Sequence, residues 1–170
     1  MDIIPGRPDE NYKKILEIIS AAKEKQADIL LLPEMCIPGY LIGDLWEQQT
    51  FLDDCQYYAE QIVAASQDLC IMFGNVAFEK DKLNEDGRLR KYNAAVACQN
   101  GKVLGGYMER NFILKNSLPN YREFDDYRYF YSLQKLCAEE DAVVAEALQP
   151  LEVNIKGTTV KVGLMICEDG

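Results

Sequence analysis

The sequence predicts an α/β sandwich built on a mixed β-sheet. Residues 9–25 place apolar side chains at helical spacing, which indicates an amphipathic helix. Two short, continuous apolar runs, 27–33 and 69–78, are typical of strands that are buried on both faces. Asn100-Gly101 and Lys156-Gly157 separate pairs of strand-like segments, as two-residue hairpin turns do. Helices interleaved with buried strands and hairpins are the pattern of α/β folds with mixed sheets.

The helix at 9–25 follows the turn-forming sequence PGRP, and either Asp9 or Asn11 is placed to cap its start. The strand at 27–33 ends in proline, and a Pro/Gly-containing loop leads to a second helix at about 46–66. The later elements follow in chain order: a strand at 69–78, a turn at 84–87, a hairpin at 91–109, an aromatic loop at 110–131, a helix at 132–148 and a hairpin at 151–167.

Composition is typical of a globular protein and argues against several kinds of partner. The length of 170 residues suits one domain, and the net charge of −10 argues against nucleic acids and anionic membranes as partners. The six cysteines form no C-x-x-C pair and there is no histidine, so no metal site is expected. No signal peptide opens the chain, and no apolar run reaches the roughly 18 residues that span a bilayer. We therefore expect a cytoplasmic protein with reduced thiols.

Three side chains in separate segments are candidates for one catalytic site. Glu34 comes directly after the apolar run 27–33, Lys115 lies in the aromatic loop, and Cys167 ends an apolar run. Taken singly, each also fits an ordinary structural role, as a solvated acid, a surface lysine or a buried, inert cysteine.

Together these three side chains would form a hydrolytic site that needs no histidine. A carboxylate in an apolar site can take the proton of a thiol that attacks an amide. A lysine ammonium can stabilise the oxyanion of the tetrahedral intermediate and offset the negative charges of Glu168 and Asp169, which follow the cysteine. Spacing along the chain leaves open whether the three groups converge.

Three blocks resemble the catalytic blocks of the nitrilase (carbon–nitrogen hydrolase) superfamily: LLPEMCIPGYLIGDL, RNFILKNSLPNYREFDDYRYF and VGLMICEDG. More narrowly, PGRPDENY, GYLIGDLWE and KNSLPNYREFDDYRYF are similar to the N-terminal glutaminase domain of glutamine-dependent NAD synthetases. The most specific block is the LPNY…FD..RYF pattern, and the resemblance extends over residues 4–170. It implies a nitrilase-like αββα sandwich with a mixed sheet.

The resemblance also implies a role for individual residues. Glu34 matches the general base, Lys115 the oxyanion-stabilising lysine, and Cys167 the nucleophile. Tyr121 matches a position that contacts bound glutamine. L-glutamine would then acylate the cysteine and release ammonia for the ATP-dependent amidation of deamido-NAD.

The chain departs from the family pattern at both ends. The family's opening strand is reduced to residues 1–4, the chain stops three residues after Cys167, and the stretch 131–150 is longer than expected. No SGG.DS-type phosphate loop is present, so ATP and Mg²⁺ would belong to a synthetase domain that is absent from this chain. We expect residues 1–170 to be the N-terminal part of a glutaminase domain. On its own it would have little activity and would associate through exposed strand edges as a homo-oligomer.

Two other functions remain open from the sequence. One is a stand-alone amidase of the same superfamily that acts on another small amide. The other is a partial domain without catalysis that acts only in assembly. The LPNYREFDDYRYF block favours the glutaminase over the general amidase.

Overall fold

A computed structural model describes all 170 residues and shows a mixed sheet with helices on both faces. The helices are α1 (Pro8–Glu24), α2 (Gln49–Ala64), α3 (Asp126–Tyr129), α4 (Leu133–Glu139) and α5 (Val144–Ala147), with 3-10 turns at Gly43–Glu47 and Cys167–Asp169. The strands are β1 (Ile29–Leu31), β2 (Cys70–Leu83), β3 (Leu89–Gln99), β4 (Lys102–Val103), β5 (Ile113–Leu114), β6 (Leu151–Ile155) and β7 (Thr158–Val162).

The long antiparallel hairpin of β2 and β3 forms the centre of the main sheet. β1 pairs with β2 in parallel, while β4 and β5 pair with two separate parts of β3 in antiparallel fashion. The predicted mixed sheet is therefore confirmed. The predicted hairpin turn at Asn100-Gly101 is confirmed as well, because both residues have positive φ, as a turn of this kind requires. β6 and β7 form a separate two-stranded sheet around Lys156-Gly157.

Two hydrophobic cores lie on the two faces of the main sheet. β2 supplies both, since Ile71 and Phe73 pack into the core under α1 and α2, whereas Cys70 and Met72 pack into the core beneath α4 and β6. This alternation follows from the two-residue side-chain period of a strand. The sheet is thus covered on both faces, and the loops at its strand ends are left to form a site.

Two predicted strands differ from what their apolar composition suggested. β1 was expected to be buried on both faces, yet it is an edge strand with one neighbour, and the side chain of Leu31 is 66% exposed. Residues 163–166 were expected to continue the last hairpin toward Cys167, but β7 ends at Val162 and no strand forms there. A strand needs a partner for its backbone N–H and C=O groups, and residues 163–166 pair with no other strand.

The helix caps and the C-terminal helices also differ in detail. Neither Asp9 nor Asn11 caps α1, whose N-cap is Arg7 with Pro8 in the first turn. The buried Asn11 side chain instead forms two hydrogen bonds with the backbone of Ile4. Its Oδ1 accepts from the Ile4 N–H, and its Nδ2 donates to the Ile4 carbonyl, each at 2.8 Å. The helix predicted at 132–148 is two helices, α4 and α5, and the aromatic loop contains β5 and α3.

No helix in the structure is both long enough and apolar enough to cross a membrane.

Candidate active site

Three neighbouring strands bring Glu34, Asn93 and Lys115 to one place. Glu34 follows β1 in a turn, and Asn93 lies within β3. Lys115 comes directly after β5, whose Leu114 pairs with Ala94 of β3. The Lys115 backbone is held on both sides, because its N–H donates to the carbonyl of Asn93 at 2.9 Å and its carbonyl accepts from α4 at 3.2 Å.

A glycine lets the Glu34 turn lie against the sheet. The Gly74 N–H in β2 donates to the carbonyl of Pro33 at 3.2 Å. A Cβ atom at Gly74 would stand 2.4 Å from the Met35 nitrogen and 2.6 Å from the Glu34 Cα. Backbone atoms cannot yield as a flexible side chain can, so any larger residue at this position would push the Glu34 turn off the sheet.

Glu34 and Lys115 form a buried ion pair. The Lys115 Nζ donates to the Glu34 Oε1 at 2.7 Å, and the lysine side chain is fully buried. It also lies 3.4 Å from the Tyr40 hydroxyl and 3.7 Å from an oxygen of Asp126. One cation thus serves two carboxylates in a site of low dielectric, where charges interact strongly.

Asp126 is the second carboxylate of this cluster. The Tyr40 hydroxyl donates to its Oδ2 at 2.6 Å. Burial raises the pKa of Asp126, with help from the negative charge of Glu34, while Tyr40 and Lys115 oppose the rise. Burial and this hydrogen bond to the carboxylate also raise the pKa of Tyr40 well above its usual range. Tyr40 therefore remains a neutral donor in the cluster.

Cys167 lies beside Glu34 at the start of a 3-10 turn. Both residues line a mainly apolar cavity of about 240 Å³. Cys167 is the one exposed cysteine of the six, so its thiol is accessible. Its φ is +49°, in the left-handed region that costs a non-glycine residue roughly 1–2 kcal/mol. Partial burial, followed by the charge of Glu34, raises the pKa of the Cys167 thiol, and Lys115 opposes this rise.

The two acids that follow Cys167 hold its turn in place. The Asp169 carboxylate accepts hydrogen bonds from the backbone N–H groups of Asn116 and Ser117, the shortest at 2.7 Å. The Glu168 carboxylate accepts a hydrogen bond from the Tyr121 hydroxyl. Both contacts tie the cysteine turn to the segment that follows Lys115.

The structure brings the four residues singled out from the sequence into one neighbourhood. The pair Glu34–Lys115 is in direct contact, and Cys167 shares a cavity with Glu34. Tyr121 is half exposed and bonds Glu168, the residue that follows Cys167. Lys115 is not a surface lysine, which was its ordinary structural alternative.

Sequence reasoning missed Tyr40, Asn93 and Asp126, which complete the cluster. Asn93 is polar and directly precedes the apolar run 94–98, and this is a detectable signal. Tyr40 and Asp126 lie within the first two of the three motif blocks, but no spacing rule indicated that they meet.

Comparisons with known proteins identify the family of this chain. A family model described as carbon-nitrogen hydrolase matches residues 1–170. The chain belongs to the carbon-nitrogen hydrolase family. This carbon-nitrogen hydrolase is 30% identical over 166 residues to the glutamine-dependent NAD(+) synthetase of Thermotoga maritima, covering 96% of this chain and 23% of that protein. It is 32% identical over 169 residues to the enzyme of the same name from Xanthomonas campestris, covering 99% and 26%. The chain spans about a quarter of the length of these curated relatives.

Solved structures confirm the predicted nitrilase-like fold. The glutamine-dependent NAD+ synthetase of Acinetobacter baumannii superposes with a TM-score of 0.71 at 30% identity, covering 99% of this chain and 26% of that one. An amidase from Nesterenkonia sp. AN1 superposes with a TM-score of 0.68 at 16% identity, covering 98% and 54%. The second likeness concerns the fold alone.

Proposed function

We propose that this carbon-nitrogen hydrolase hydrolyses the side-chain amide of L-glutamine and supplies ammonia to an NAD synthetase reaction. The observation that supports this most is its likeness to glutamine-dependent NAD(+) synthetases over 96–99% of its length. The site geometry is compatible with that activity, because an accessible thiol, a carboxylate and a buried lysine lie together.

In the first half of the reaction, Cys167 is the nucleophile and Glu34 the general base. The raised pKa of the Cys167 thiol leaves little thiolate at neutral pH, so a base is needed at the moment of attack. Glu34 takes the thiol proton while the sulfur bonds the amide carbon. The Lys115 ammonium stabilises the negative oxygen that forms. Glu34 then returns the proton to the departing nitrogen, which leaves as ammonia.

The second half of the reaction restores the thiol. A water molecule attacks the glutamyl thioester while Glu34 takes one of its protons. The carbon–sulfur bond breaks, the proton passes to the sulfur, and glutamate leaves. Asp126 is less suited to be the base, because its oxygen already accepts from Tyr40 and it does not line the cavity shared by Glu34 and Cys167.

The proposed partners follow from the same assignment. Tyr121 contacts the bound glutamine at the rim of the site. ATP and Mg²⁺ act in a synthetase domain, and no residue of this chain is assigned to them. We also infer that the exposed edge of β1 favours association between copies. A single monomer mass in sedimentation over a wide range of concentrations would contradict that association.

Substrate preference tests the proposed function against its alternatives. Ammonia release is measured for the protein that joins this chain to a synthetase domain, with glutamine, asparagine and simple aliphatic amides as substrates. We expect kcat/KM for glutamine to exceed that for asparagine, which is one methylene shorter, by at least about tenfold. Faster hydrolysis of simple amides would instead indicate a general amidase. Absence of hydrolysis, with Cys167 still open to alkylation, would indicate a role in assembly only.

A further inference from the structure

Asn93 is a buried polar side chain at the start of the apolar part of β3. It is 1% exposed and precedes the run Ala94–Ala97 in β3. Its Nδ2 donates to the Glu34 Oε1 at 2.7 Å and also lies 3.3 Å from the Tyr40 hydroxyl. Its Oδ1 is buried and has no hydrogen-bond partner.

The orientation of this amide follows from its neighbours. Exchanging the two ends would place the amide oxygen against the Glu34 carboxylate, so that two acceptors would face each other. A buried acceptor without a partner is unfavourable, and a leucine of similar size would avoid it. The fold itself therefore does not account for asparagine at this position, whereas the hydrogen bond to Glu34 does.

The two oxygens of Glu34 are treated differently by the protein. Oε1 accepts from both Asn93 and Lys115, each at 2.7 Å, whereas neither of them donates to Oε2. We propose that Asn93 is a positioning residue that, with Lys115, holds Oε1 and leaves Oε2 to receive the proton of Cys167. This inference rests on the proposed function, in which Glu34 is the base.

The proposal predicts that Asn93 acts on the thiol through Glu34. The variants below leave in place the other titratable groups around the thiol and its base, which are Lys115, Asp126, Tyr40, Tyr121 and Glu168. Because Glu34 raises the pKa of the Cys167 thiol, replacing Glu34 with glutamine lowers it. If Asn93 holds Glu34 in place, its loss reproduces part of that change.

The experiment follows alkylation of Cys167 by iodoacetamide against pH in the 170-residue chain. Cys167 is the one exposed cysteine, so intact mass and peptide mapping report on it selectively. Glu34→Gln should move the midpoint of the rate profile down by about one pH unit. In the otherwise unmodified chain, Asn93→Leu should move this midpoint down by about half a pH unit. When Asn93→Leu is added to Glu34→Gln, the midpoint should stay where Glu34→Gln alone places it.

Asn75→Leu is the matched control. Asn75 lies in β2, is 3% exposed, and also has an unpartnered Oδ1, but its Nδ2 donates to the carbonyl of Cys55 away from the site. It should lower Tm about as much as Asn93→Leu and leave the alkylation midpoint where it is.

Three outcomes would overturn the inference. The first is an unchanged midpoint in Asn93→Leu, and the second is an equal shift in Asn75→Leu. The third is a shift in Asn93→Leu that persists in the Glu34→Gln background. An unchanged midpoint in Glu34→Gln itself would contradict the base assigned in the proposed function as well, so the two failures can be told apart.

Discussion

We expect Cys167→Ala to abolish glutamine-supported NAD synthesis and to leave ammonia-supported synthesis intact, in the protein that joins this chain to a synthetase domain. In the proposed mechanism the thiol serves only to break the amide bond, and free ammonia bypasses that step. The glutamine-supported rate should fall by several orders of magnitude, since loss of the nucleophile from a group of residues that act together in catalysis lowers kcat by on the order of 10⁶. Both rates are measured as NAD formed, with each nitrogen donor at saturation.

A buried cysteine provides the control for this variant. Cys55 lies in α2 within the first core and does not line the cavity of Glu34 and Cys167. Cys55→Ala removes a thiol of the same kind from the protein and should reduce the two rates together, if at all. Equal loss with both nitrogen donors in Cys167→Ala would contradict the assignment of the nucleophile.

Lys115→Ala and Glu34→Ala should each lower glutaminase turnover by about two or more orders of magnitude, the effect of losing one oxyanion donor or a general base. Residues that act as one unit are strongly non-additive. Either change combined with Cys167→Ala should therefore cost little more than Cys167→Ala alone. The measurement is glutamate formation for the single and double variants.

Lys115→Ala should also destabilise the fold, and thermal unfolding separates this effect from the loss of catalysis. Without the lysine ammonium, Glu34 and Asp126 lack their shared cation, and breaking such a buried pair lowers the free energy of unfolding by roughly 3–5 kcal/mol. Lys115→Met fills more of the vacated volume and should unfold at a higher temperature than Lys115→Ala while remaining equally inactive. Near-normal turnover in either variant would mean that another group stabilises the oxyanion.

Local features were predictable wherever one segment determines them. The turn at Asn100-Gly101 follows from residues that tolerate positive φ, and α1 follows from its apolar spacing. The burial of β1 was not predictable, because an apolar run does not reveal how many neighbours it has in the sheet. The same holds for residues 163–166, which are apolar but pair with no strand.

The reactive groups of the candidate site were predictable from the sequence, but the residues that contact and position them were not. Glu34, Lys115 and Cys167 stood in motif blocks whose chemistry is complementary. Asn93 and Asp126 reach the cluster only through the pairing of β3 with β5 and the start of α3, which no local pattern specifies. Their roles depend on three-dimensional contacts with Glu34 and Lys115.

The central claim is that the Cys167 thiol attacks the amide carbon of glutamine, and affinity labelling tests it most directly. A diazoketone analogue of glutamine places an electrophilic carbon next to the position of the amide carbon and is attacked by the group that would attack the amide. After reaction with the protein that carries this chain, peptide mapping should find the label on Cys167 alone among the six cysteines. Excess glutamine should block the reaction, and Cys167→Ala should remain unlabelled. Labelling of another residue, or labelling of Cys167 that glutamine does not slow, would contradict the claim.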